Sequence, residues 1–179
     1  MSIPSLLRDR IQDYNLMNTA NKYYITAQIT TMKSIFDNNS REELIQRIKN
    51  LNTSSKAQWG HMNIYQMVKH CTLWEEMLLS KIKVKRVFIG RLIGKLLLKS
   101  EVKDDRRMVQ NTPTVFELKV KDTNFDLEAE KEKWIALIEE SIHSSTTDFC
   151  HPFFGKMTKE QIGVHHYKHI DHHLRQFNS

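Results

Sequence analysis

The sequence predicts an all-α protein: four substantial helices packed as a bundle, with an extra short amphipathic helix and an N-terminal arm. Three observations carry that prediction. The 179 residues include only 5 Gly and 3 Pro, too few for a sandwich or barrel that turns every ~8–12 residues. Apolar residues recur at helical intervals of three and four, with no strand pattern. Ser40/Glu43, Asn63/Gln66 and Thr158/Gln161 each place a capping-box pair ahead of such a run. The length suits one domain with a real core, plus an arm.

Residues 1–31 are the least regular part, broken by Asn15, Asn18 and Asn21, and read as a loose arm or an extra helix. The biological start is alternatively Met32, since MKSIFD opens the compact domain expected over 32–179. The first helix is expected from Ser40 to about Leu51, with Leu44, Ile45 and Ile48 on its apolar face. After the linker around Gly60, a second helix runs from Asn63 to about Ser80. Ile64, Met67, Val68, Cys71, Trp74 and Leu78 share an arc of about 140° there, with His70 at its edge. Residues 87–100 form the short amphipathic helix, with Arg91, Lys95 and Lys99 as a basic stripe and Gly90 and Gly94 allowing close approach. It reads as a basic helix closing one end of the core, in preference to a membrane-surface helix. The connection 101–124 holds Pro113 and no clear pattern. A long helix from Asp126 to Ser144 buries Leu127, Trp134, Ile135, Leu137 and Ile138, the loop CHPFFGKM follows, and the last helix runs from Thr158 to about Phe177.

The formal charge of +6 comes from lysines scattered over helix faces and loops, including Lys81, Lys83, Lys85 and Arg86. No aromatic-interleaved basic face or reading helix accompanies them, so nucleic acid is not an expected partner. Cys71 and Cys150 are the only cysteines and read as reduced thiols of a cytoplasmic protein. No secretory leader is visible, and Val87–Leu98, the most apolar stretch, is too short to span a bilayer.

The chemistry concentrates at the C-terminus, where five of nine histidines fall between His165 and His173. Neutral imidazole is the commonest protein ligand for divalent transition metals. With Ile162 as zero, His169 falls near 340°, His173 near 20° and His166 near 40°, at about 100° per residue. These three border the buried face, His172 and His165 turn outward, and Lys168, Asp171 and Arg175 lie opposite. His166 and His173 are about 10.5 Å apart along the axis, too far to share one ion. Any pair must therefore include His169: with His173 as the first choice, or with His166 or His165. His70 is the only histidine on the second helix and sits where facing helices supply further ligands. His70, His169 and His173 would make a three-histidine site with an open position for water. His61 and His143 read as surface residues, Glu75 and Glu76 as solvated charges, Trp59 as a cap over the core and His151 as a loop-packing residue.

WGHMNIYQMVKH (Trp59 to His70), HPFFGKMT (His151 to Thr158) and YKHIDHHLRQF (Tyr167 to Phe177) together resemble the DinB/YfiT-like superfamily, and within it a bacterial branch known only as a domain of unknown function. The resemblance covers about residues 32–178. It implies an up-down-down-up four-helix bundle, and a divalent metal, zinc or nickel, on His70, His169 and His173. It also implies frequent homodimers, and relatives that are thiol transferases or metal-dependent hydrolases. The expected function is thus an enzyme whose metal activates water or a low-molecular-weight thiol, with the basic surface near Arg91 and Lys95 attracting an anionic thiol. His151 and His166 are candidates for a general base. A non-enzymatic, metal-stabilised binding or stress-response module is the alternative.

Overall fold

The computed structural model describes residues 32–121, 124–144 and 149–179; the arm expected over 1–31 lies outside them. Among the described residues five α-helices form: α1 (Asn38–Asn50), α2 (Ile64–Leu78), α3 (Phe88–Glu101), α4 (Leu127–His143) and α5 (Lys159–Gln176). A 3-10 turn covers Phe116–Leu118, and β1 (Cys150–His151) pairs antiparallel with β2 (Gly155–Lys156). This small hairpin occupies what the sequence reads as a plain loop.

Local chemistry sets most boundaries. At α2 the Asn63 side chain accepts from the Gln66 amide at 2.9 Å and the Gln66 side chain accepts from the Asn63 amide at 3.1 Å. Thr158 and Gln161 repeat this at α5, and Asp126 caps α4 through the Ala129 amide. The expected Ser40/Glu43 box does not form. Asp37 is the cap, accepting from the Ser40 amide at 2.8 Å, and Ser40 is buried in the first turn. A carboxylate three residues earlier captures the free amides first, and Glu43 turns to Lys33 and Arg47.

Side-chain pairings fix the directions of neighbouring helices. Lys69 with Glu130, Glu76 with Lys133 and Lys81 with Glu140 advance together, so α2 and α4 run parallel. Arg41 pairs with Glu139 while Lys131 reaches the carbonyls of Lys49 and Leu51, so α1 and α4 are antiparallel. His70 meets His173 and Glu75 meets His166, so α2 and α5 are antiparallel as well. Leu44, Ile48, Met67, Trp134, Ile138 and Ile170 meet between these four helices in the main core.

α3 departs from expectation. It does not close the core with its apolar side. Gly90, Gly94 and Leu98 are its buried residues, and a Cβ at either glycine would collide with the Phe153 carbonyl. The helix therefore seats backbone to backbone on the hairpin, and its large apolar side chains face out. Lys168, expected on the outer face of α5, is also buried. Its Nζ donates to the carbonyls of Glu101, Asp104 and Arg106 and so pins the long connection against α5. No helix among the described residues is long and apolar enough to cross a membrane.

Candidate metal centre

His70 is carried inward by α2, whose capping box fixes the start of the helix and whose Met67, Val68 and Cys71 lie in the core. His169 and His173 are one turn apart on α5, so they reach the same side of that helix. One ligand nitrogen from each of the three lies within 4.8 Å of the others. Nitrogens bound to one tetrahedral zinc stand about 3.4 Å apart, so the cluster is of the size that a single ion draws together. All three side chains are buried.

The hydrogen bonds around the trio settle which nitrogens are free. His70 Nδ1 lies 2.9 Å from the Leu118 carbonyl, which can only accept. Nδ1 therefore carries the proton and Nε2 keeps its lone pair. Gln176 Nε2 donates to the Trp59 carbonyl at 2.8 Å, which turns its Oε1 towards His173 Nδ1 at 3.0 Å. His173 Nδ1 thus donates as well, leaving Nε2 as its lone-pair atom. Such outer partners orient metal-ligating imidazoles and fix their tautomers. His169 stacks on Trp74 with ring centres 4.8 Å apart, and its Nδ1 is buried with no partner.

Burial also keeps the trio uncharged. It lowers the pKa of His70, and lowers those of His169 and His173 well below the ordinary histidine value, with the neighbouring histidines adding to the effect. Neutral imidazoles offer lone pairs, so this donor set fits a divalent transition metal.

The remaining histidines are used differently. His165 is buried, against the outward placement expected from the wheel, because the end of α3 and the hairpin cover that side of α5. Its Nδ1 bonds Glu101, and its ring meets His151 and Phe154. His166 Nε2 lies 2.7 Å from Glu75 Oε1, with both side chains 1% exposed. Glu75 is thus not the solvated charge expected, whereas Glu76 lies nearer the surface and pairs with Lys133. His151 packs its own loop, its Nδ1 accepting from the Phe153 and Phe154 amides at 3.2 and 3.1 Å. Neither His151 nor His166 belongs to the three-histidine cluster. His61 and His143 are exposed, as expected. Trp59 is half-buried against His172, whose ring lies 5.2 Å from that of His173. Both line a cleft of ≈ 760 Å³ with Arg106, Lys168 and Arg175. Gln176, three residues beyond His173, was open to sequence reasoning as an outer partner; the Leu118 carbonyl belongs to a connection without periodic signal, and Glu101 is the last residue of α3.

Residues 31–179 match the profile of a family described as a protein of unknown function, DUF1569. The chain belongs to the DUF1569 family. Searches of curated proteins and of solved structures gave no match. Within this DUF1569 chain, the described part of the match holds both helices that carry the trio.

Proposed function

We propose that this DUF1569 protein binds one divalent metal ion, zinc or nickel, through His70, His169 and His173, and is a hydrolase or S-transferase acting on a small molecule. One observation carries the reading. Three neutral imidazoles from two helices converge, and the outward nitrogens of two are held by Leu118 and Gln176. Bound there, such an ion lowers the pKa of a water or thiol and supplies a nucleophile near neutral pH. Around it the chain orients the imidazoles through the Leu118 carbonyl and Gln176, and keeps them unprotonated by burial. The cleft lined by Trp59 and His172 holds none of the three histidines but adjoins His173 through the His172 ring, which supports approach of a polar substrate from that side.

The helix directions support the kinship with DinB-like bundles. α2 and α4 share one direction, α1 opposes α4, and α5 opposes α2, as in an up-down-down-up arrangement following a fold of residues 32–179. His151 and His166 remain the candidates for a general base, although each has a ring nitrogen already engaged. The burial of all three ligands favours the second reading, a metal-stabilised binding module, whereas a set of three protein ligands leaves a coordination position open.

Metal analysis of the purified protein is expected to give about one ion per chain, with His169→Ala abolishing it. Equal metal contents would remove the site. Esters and amides, and thiols offered with electrophiles, then separate the two reactions, and inertness towards both panels with metal retained would favour the binding module.

A further inference from the structure

α3 presents an unusual surface. Phe88, Leu92 and Leu96 follow one line along the helix and Ile89, Ile93 and Leu97 the next, each 40–74% exposed. At about 100° per residue they fill a sector about 180° wide, facing away from the Gly90, Gly94 and Leu98 side that seats on the hairpin. Contiguous apolar surface of this kind marks an interaction site. Arg91, Lys95 and Lys99 border the sector along one edge. Next to that edge Arg86, Arg91, Lys95 and Lys156 line a shallow cleft of ≈ 500 Å³, and no acidic side chain lines it. From Lys81 to Lys103 the chain carries eight Lys or Arg and one acidic residue, Glu101, which is engaged by His165.

We propose that α3 docks this protein on an anionic phospholipid surface, lying in the plane of the interface. Phe88, Leu92 and Leu96 enter the acyl boundary, and the basic edge and cleft meet headgroup phosphates. Charge complementarity selects this occupant. An apolar helix face flanked by cations is drawn to anionic lipid by both terms at once. A second copy packed antiparallel on the same face by a two-fold axis would bring two basic edges together, which opposes that interface. At 14 residues the helix is about 21 Å long, short of a bilayer's hydrocarbon core, so it lies on the membrane and does not span it.

The test sediments the full chain with vesicles of phosphatidylcholine alone, or of equal parts phosphatidylcholine and phosphatidylglycerol. Wild-type protein is expected to pellet with the anionic vesicles only, and to be released by salt. Two double variants, Leu92→Glu with Leu96→Glu and Arg91→Glu with Lys99→Glu, are each expected to bind at least about tenfold more weakly. All four side chains are exposed, so the thermal melts should match wild type and separate lost docking from lost folding. Three results overturn the proposal. One is equal pelleting of wild type and variants. Another is a dimer in sedimentation velocity that the leucine variant dissociates, with no vesicle binding. The last is saturation of the cleft by inorganic phosphate in a protein that ignores vesicles.

Discussion

On α5 the pair His165 and His166 precedes the pair His169 and His173, and the surroundings of the two pairs differ in kind. His165 and His166 face carboxylates, Glu101 and Glu75. His169 and His173 face each other and His70; a carbonyl holds His70, an amide holds His173, and His169 Nδ1 has no polar partner. The Glu75 carboxylate occupies His166 Nε2 itself and ties that ring into a helix contact. A carbonyl or amide on Nδ1 fixes the tautomer and leaves Nε2 free to bind something else. Histidine spacing alone does not separate a packing residue from a ligand. Convergence with a third ring from another helix does.

The largest way to break this contrast is to remove the proposed ligands in one set of variants and the neighbouring histidines in another. His70→Ala, His169→Ala and His173→Ala should each reduce bound metal from about one ion per chain to background, measured by elemental analysis after dialysis. His166→Ala should keep its metal. His165→Ala is the sharper control, because its Nε2 is buried without a partner yet it stands outside the cluster. Loss of metal in His165→Ala alone would redraw the site around that residue.

Acid gives the next effect. In the fold, burial depresses the pKa values of His70, His169 and His173 below the ordinary 6.5. Below about 6.5 the unfolded chain takes up protons that the folded trio refuses, so protons favour unfolding. Stability of the metal-free protein should therefore be full above that pH and fall as pH drops through it, by up to about 1.4 kcal/mol per pH unit for each group. Urea melts from about pH 7.5 down to about pH 5 check this. Zinc should oppose the loss at the upper end of the window, and a flat profile would mean that the trio is not held neutral by the fold.

Much of this contrast is legible in the sequence, and the part that is not has a physical cause. The i, i+4 pair His169/His173 and the border position of His70 follow from helical periodicity, and the Asn63 and Thr158 boxes set the register that makes those angles hold. The wheel misplaces His165 and Lys168 because it assumes that the polar side of α5 faces water. There α3 and the connection after it cover the helix, and neither advertises its docking side: Gly90 and Gly94 make contact by lacking a side chain. Glu75 misleads for a related reason, since a carboxylate reads as solvated until a histidine from another helix is placed on it. The cap of α1 shows the limit of local motifs, with Asp37 and Ser40 competing for the same amides.

Gln176 tests the tautomer argument at smaller amplitude. Gln176→Ala removes the acceptor that orients His173 Nδ1 and the donor on the Trp59 carbonyl while leaving all three proposed ligands. Metal affinity should fall about 10–100-fold, read by competition with a chromophoric chelator, with stoichiometry at saturation unchanged. Unaltered affinity would mean that His173 is oriented by packing alone.

Glu75 gives the smallest effect and completes the comparison from the carboxylate side. Glu75→Ala leaves His166 Nε2 buried without its partner, so the protein should lose about 1–3 kcal/mol of stability and keep its metal. Glu75→Gln keeps a side-chain oxygen as acceptor and nearly the same volume, and should recover most of that loss. Chemical denaturation of both variants, each with its metal content measured, decides the point. Metal loss in Glu75→Ala at unchanged stability would place this pair with the ligand turn and erase the distinction between them. Stability loss with the metal retained would leave His166 a packing residue one turn from the site.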